Sequence, residues 1–175
     1  MITLDGEQFG NLLKASELRP RFKLELKFVA STQQLPDSWI DIELLAITDR
    51  TGDKGLLLLQ PADDLYIVPY ALSRSIVDST TGRARAIICD FCYTWQPGSN
   101  AASVTFSPPR SKNTVRFLCC GDLDCSSHVR NTTKAALVSR SQLRETMTNE
   151  DRIARLKSKL ERYIAQLELT PTSSM

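Results

Sequence analysis

The stretch Cys89-Asp90-Phe91-Cys92 is followed, after 27 intervening residues, by Cys120-Gly121-Asp122-Leu123-Asp124-Cys125, and the fate of these four thiols decides the fold. Thiolates two residues apart can both reach one ion from a tight turn, and Zn²⁺ takes four such ligands in a tetrahedron. Between the pairs, "ASVTFS" (102–107) and "NTVRFLC" (113–119) alternate apolar and polar residues around a breaker-rich "PPRSKN". They read as a β-hairpin, with Val104 and Phe106 facing Val115 and Phe117, whose second strand delivers Cys119 and Cys120. From Asp124, a candidate N-cap, "DCSSHVRNTTKAALVSR" can form one helix that begins at the last cysteine. Its N-terminal dipole would favour a thiolate at Cys125.

A knuckle, a hairpin and a helix whose first turn supplies a ligand make the outline of a treble-clef finger. Other uses of the thiols fit less well. A thioredoxin-like pair would sit at the strand-to-helix step of a βαβ unit, and a hairpin follows instead. The first sixteen residues show no basic segment leading into an apolar one, so the chain is read as cytoplasmic, where stable disulfides are rare. Five cysteines is also an odd number. Cysteine as an ordinary buried thiol is common, but it does not account for two paired motifs flanking a hairpin.

The second pair leaves a choice of ligand. Cys119 and Cys120 are adjacent and in a strand point to opposite faces, so one of them can look at the metal. His128, three residues after Cys125, is a rival at a zinc-compatible spacing, although its ordinary reading is a partly exposed helix residue. The expected set is Cys89, Cys92, Cys120 and Cys125, with Cys119 a buried thiol on the other side. Four protein ligands close the site, leaving no position for an activated water, so its zinc would be structural.

Working outward, "TNEDRIARLKSKLERYIAQLEL" predicts a long amphipathic helix with a capping-box-like Thr148-x-x-Asp151. Its stripe is Ile153, Leu156, Leu160, Ile164 and Leu167; "TPTSSM" reads as a frayed tail. Toward the amino terminus, Phe9, Leu12 and Leu13 suggest one or two helical turns. "RFKLELKFV" (21–29) alternates strictly, with Phe22, Leu24, Leu26 and Phe28 opposite Lys23, Glu25 and Lys27, and predicts a strand. "WIDIELLAITD" (39–49) reads as another strand, and "LLLLQ" and "DLYIVPY" as a hairpin. "DSTTGRAR" (78–85) is the candidate linker. The expected architecture is α+β: a strand-rich N-terminal part (1–82), then a treble-clef zinc-finger domain with a C-terminal helix (83–175).

The pairing of "CDFC" with "TVRFLCCGDLDCSSHVR" and a late "RIARLKSKL" resembles the elongation-factor-G-binding (FusB-type) C-terminal treble-clef zinc-finger family. Asp122, Leu123, Cys125, Ser126, Val129 and Arg130 carry the likeness, and "WIDIELLAITDR" is similar to a stretch that precedes the finger in some members. The resemblance implies a ligand four residues before the final cysteine, which favours Cys120. It implies an aromatic where His128 stands, which disfavours His128. It also implies a bacterial cytosolic protein that binds elongation factor G, as fusidic-acid-resistance proteins do. Those proteins carry an N-terminal helical bundle, unlike the strands expected here.

The net charge of +2 is unevenly spread. Residues 1–82 carry 8 Lys and Arg against 12 Asp and Glu, and residues 83–175 carry 14 against 8. An anionic partner for the second half is therefore expected, a protein face or ribosomal RNA, approached by Arg130, Lys134, Arg140 and Arg144 after the finger and by Arg152, Arg155, Lys157, Lys159 and Arg162 on the last helix. No apolar run is long enough to span a bilayer. With one histidine, no phosphate loop and no nucleophile elbow, neither an enzyme nor a small-molecule substrate is expected. Asp63 and Asp64 are read as turn residues.

Overall fold

The structure, a computed structural model, describes residues 6–16, 18–32, 40–107 and 114–172. Two helices open the described chain, α1 (Gly6–Ala15) and α2 (Pro20–Thr32). Strands β1 (Leu44–Thr48), β2 (Lys54–Leu59) and β3 (Tyr66–Ser73) follow. A small ribbon, β4 (Ile87–Ile88) and β5 (Trp95–Gln96), precedes β6 (Ala101–Phe106) and β7 (Val115–Cys120). Three helices complete the described chain: α3 (Cys125–Val129), α4 (Lys134–Leu143) and α5 (Asn149–Gln166). The α+β class is as expected.

The main sheet is antiparallel throughout, in the order β1-β2-β3-β6-β7. Its second strand explains the run of four leucines. Leu56 and Leu58 face a core made with Phe9, Leu12, Leu13 and Leu26 of α1 and α2. Leu57 and Leu59 face the opposite core, made with the cysteines, Phe91, Phe106 and α5. A strand covered on both faces reads as a continuous apolar run. At its start Gly55 admits no side chain, since a Cβ there would lie 2.1 Å from the Ile47 carbonyl oxygen and 2.9 Å from the Tyr70 ring.

The strand expected over 21–29 is a helix. Pro20 takes the first helical position, where its missing N–H is harmless, and the Lys, Glu and Leu that follow are strong helix formers. Leu26 is fully buried while Leu24 is 71% exposed. That pattern fits a helix, whereas a strand would bury both on one face. Trp39, the "PPRSKN" loop and residues 173–175 lie outside the described residues, as does the side chain of Phe28.

The boundary placed between residues 82 and 83 falls inside one sheet, because β3 pairs with β6 across it from Tyr70↔Phe106 to Ser73↔Ser103. The "DSTTGRAR" segment is a tight turn rather than a free tether: Val77 bridges Ala84, and Asp78 accepts from the Thr80 and Thr81 amides. The hairpin register matches the alternation, with Val104 opposite Phe117 and Phe106 opposite Val115. The single helix expected after Asp124 is broken into α3 and α4. Asp124 makes no side-chain cap, whereas Thr133 caps α4 by accepting from the Ala136 amide. In α5, Thr148 accepts from the Asp151 amide and donates to its carboxylate, and Leu156, Leu160, Ile164 and Leu167 are buried.

Candidate metal centre

The first cysteine pair sits in the turn between β4 and β5. The Cys89 amide donates to the Thr94 carbonyl and the Tyr93 amide to the Cys89 carbonyl. Tyr93 adopts a left-handed φ of 57° to close the turn. The two residues between the cysteines fasten the turn in opposite directions. Phe91 is buried and meets the rings of Phe106, Phe117 and Tyr163 edge-on. Asp90 binds β7, its amide donating to the Leu118 carbonyl and its carboxylate accepting from the Leu118 amide. Tyr163 of α5 donates to the Asp90 carbonyl.

The second pair brackets a short turn. Cys120 ends β7, Leu123 takes a φ of 55°, and Cys125 opens α3. The structure brings the sulfurs of Cys89, Cys92, Cys120 and Cys125 within 4.8 Å of one another, all buried. Cys119, also buried, is not among them. The close separations are 3.5 Å for Cys92–Cys120, 3.8 Å for Cys89–Cys125 and 3.9 Å for Cys120–Cys125. These are far beyond a disulfide bond of about 2.05 Å. They match the edge of about 3.8 Å in a sulfur tetrahedron whose metal–sulfur distance is about 2.3 Å.

The charge balance of the cluster asks for the same thing. Burial would raise the Cys92 thiol, but contacts from the Cys120, Cys125 and Cys89 thiols hold it well below the ordinary range. Cys125 is driven well above that range by Cys120, then Cys89 and Cys92. Four buried sulfurs cannot all carry charge at this spacing without a cation among them.

His128 is not the partly exposed residue expected, being only 1% exposed. Its Nδ1 lies 3.3 Å from Cys120 Sγ and its Nε2 3.5 Å from Asp122 Oδ2. Burial would depress its pKa, but Asp122 and Cys92 outweigh that and push it up to about 10. Thr94, whose Oγ1 is 2.8 Å from Cys92 Sγ, went unnoticed in the sequence. Its signal was a small polar residue two places after a cysteine.

The Ser126 and Arg130 of the sequence likeness fasten β1 to the finger. Ser126 Oγ accepts from the Glu43 amide at 3.0 Å and faces the Leu44 amide at 3.4 Å. Arg130 grips the Glu43 carboxylate with two bonds, 2.6 and 2.9 Å. Glu43 is accordingly depressed: burial acts to raise it, and Arg130 and Ser126 prevail.

The basic set is smaller on the surface than expected. Arg130 is engaged with Glu43. Arg152 is 1% exposed, donating to Asn131 and to the His128 carbonyl and facing Glu145. Arg155 pairs with Glu145 and lies 4.6 Å from the centre of the Tyr93 ring. Lys134, Arg140, Arg144, Lys157 and Arg162 remain exposed, and Lys159 is half-buried. No helix among the described residues is long and apolar enough to cross a membrane.

No curated protein and no solved structure gives a significant match to the chain. A family model does, and it spans β1 to α5 together with α2, across the sheet and the four-cysteine site alike. The chain binds zinc, and by a match over residues 21–167 it belongs to the FBP C-terminal treble-clef zinc-finger family.

Proposed function

We propose that Cys89, Cys92, Cys120 and Cys125 hold one structural Zn²⁺, and that the platform so formed binds translation elongation factor G in the cytoplasm. The protein acts as a binding module, since four protein ligands leave no open position for chemistry. The observation that carries the partner surface is the outward face of α4. Leu137 and Val138 are 60% and 46% exposed there, flanked by exposed Lys134, Arg140 and Arg144. An apolar centre inside a charged rim is the anatomy of a protein interface. Its positive sign calls for an acidic face on the factor. Membership of a treble-clef zinc-finger family supports zinc and a finger; the choice of factor rests on the sequence resemblance.

Ribosomal RNA is the second reading, favoured by Tyr93. That ring is 41% exposed on the knuckle with Arg155 and Lys159 beside it, and bases stack on such rings. The two separate by experiment. Purified elongation factor G and a ribosomal RNA fragment are each titrated with wild type, Leu137→Asp and Tyr93→Ala, at two salt concentrations. Factor binding that falls at least tenfold in Leu137→Asp and depends weakly on salt supports the proposal. Binding to RNA alone, lost in Tyr93→Ala and falling steeply with salt, replaces it with the second reading.

A further inference from the structure

The hydrogen bonds around the four sulfurs are unevenly shared. Thr94 Oγ1 lies 2.8 Å from Cys92 Sγ and 3.8 Å from Cys120 Sγ. Gln96 Nε2 donates to that same hydroxyl oxygen at 2.8 Å, which leaves the hydroxyl proton for a sulfur. Asn100 Nδ2 donates to Gln96 Oε1 at 2.8 Å and to Asp122 Oδ2 at 3.0 Å. Asp122 faces His128 Nε2, and His128 Nδ1 returns to the cluster, 3.3 Å from Cys120 Sγ and 4.0 Å from Cys92 Sγ. The circuit closes on itself. Thr94 and Gln96 are fully buried and His128 nearly so. Among the described residues, the only side chains in hydrogen-bonding contact with the sulfurs of Cys89 and Cys125 are those of other cysteines.

Two polar side chains thus converge on one edge of the sulfur tetrahedron and none on the opposite edge. A sulfur that accepts a hydrogen bond has its negative charge partly engaged, so it is a weaker nucleophile than one left bare. Outer partners of this kind also orient ligands and hold the metal. We propose that Thr94 and His128 are positioning residues that lock the Cys92–Cys120 edge of the zinc site, so that attack on the thiolates begins at Cys89 and Cys125. Gln96 and Asn100 orient Thr94, and Asp122 orients His128. The inference rests on the assignment of the four cysteines as ligands.

The test uses the zinc-loaded full chain. Limiting iodoacetamide is added and the modified cysteines are mapped by mass spectrometry, with Cys119 as the internal report of global unfolding. Zinc loss to a chelator is timed in parallel. Wild type is expected to label Cys89 and Cys125 ahead of Cys92 and Cys120. Thr94→Val and His128→Leu should level that order and speed zinc loss by about ten- to a hundredfold, the range seen for outer-partner changes. His128→Asn can place an amide N–H near the position of Nδ1 and should restore most of the difference. In cobalt-substituted protein the sulfur-to-metal charge-transfer band should move in Thr94→Val and His128→Leu and return toward wild type in His128→Asn. A merely space-filling role would not produce that recovery.

Labelling of Cys92 or Cys120 first in wild type overturns the proposal. So do folded variants that keep the wild-type order, rate and band. If His128→Leu does not fold, Thr94→Val decides alone, since it exchanges one hydroxyl for a methyl. Wild type that binds no zinc and shows no cobalt–sulfur band sinks the ligand assignment itself, an outcome distinct from altered kinetics at an intact site.

Discussion

Single residues in this chain often join two elements, and Glu43 is the clearest instance. It stands at the entry to β1, buried at 3% exposure, and its carboxylate is held by Arg130 beyond the last cysteine. Burial opposes the charge, and the Arg130 and Ser126 contacts more than offset it, so its folded pKa lies below its ordinary value. A group depressed on folding contributes stability that is complete above its unfolded pKa and is lost as pH falls through the folded value. Denaturant midpoints taken between about pH 6 and about pH 3 should therefore fall more steeply for wild type than for Glu43→Gln. The comparison removes the acid loss of zinc, which both proteins share. Parallel curves would show that the Arg130 contact contributes nothing through charge. His128 and Arg152 teach the same point from the other side. Each looks like an exposed polar residue in sequence, yet each is buried with its own partners, because residue type sets only the odds of burial and a charged group goes inside where the fold supplies partners for it.

At the scale of elements, the parts legible in the sequence were those whose pattern is local. The hairpin carrying the second cysteine pair came through with its register, since period-two alternation flanked a breaker-rich loop. The last helix came through with its cap and its stripe, over a long periodic segment. The α2 segment misled because Phe22, Leu24 and Leu26 alternate by chance in a stretch of good helix formers, and only the exposure of Leu24 tells the periods apart. The four sulfurs' convergence was legible from spacing. The circuit through Thr94, Gln96 and Asn100 was not, because it joins β5, the turn after it and the finger helix through space. The role of Gly55 is likewise not local, since its place against the Ile47 carbonyl and the Tyr70 ring fixes how closely β1, β2 and β3 approach. Gly55→Ala should destabilise the protein by about 1–3 kcal/mol, the usual range for overpacking, visible as a lower midpoint with unchanged slope. A neutral result would mean that the strands separate freely there.

Over the whole molecule, the question is whether the zinc site holds only its own half or the entire described chain. One core takes Leu57 and Leu59 of β2, Val68 and Leu72 of β3, the four clustered cysteines, and Leu156 and Leu160 of α5. The sheet is continuous across all of its strands, and Ser126 and Arg130 tie β1 to the finger helix. Structural zinc supplies about 10–16 kcal/mol of apparent binding free energy in small fingers, comparable to the whole stability of an ordinary domain at about 5–15 kcal/mol. Removal of that contribution from a shared core should not leave the remainder standing. Chelation, or Cys92→Ser, is therefore expected to expose the amides of β2 and β3 to hydrogen exchange together with those of β6 and β7. Partner binding should disappear in the same step, since α4 rides on β5 beside the knuckle, with Ser139 Oγ accepting from the Trp95 amide. If β1 to β3 keep their protection after the metal is gone, α1 and α2 suffice to hold them through Leu56 and Leu58. The chain would then be two cooperative units sharing one sheet, and the finger could be switched off without unfolding what precedes it.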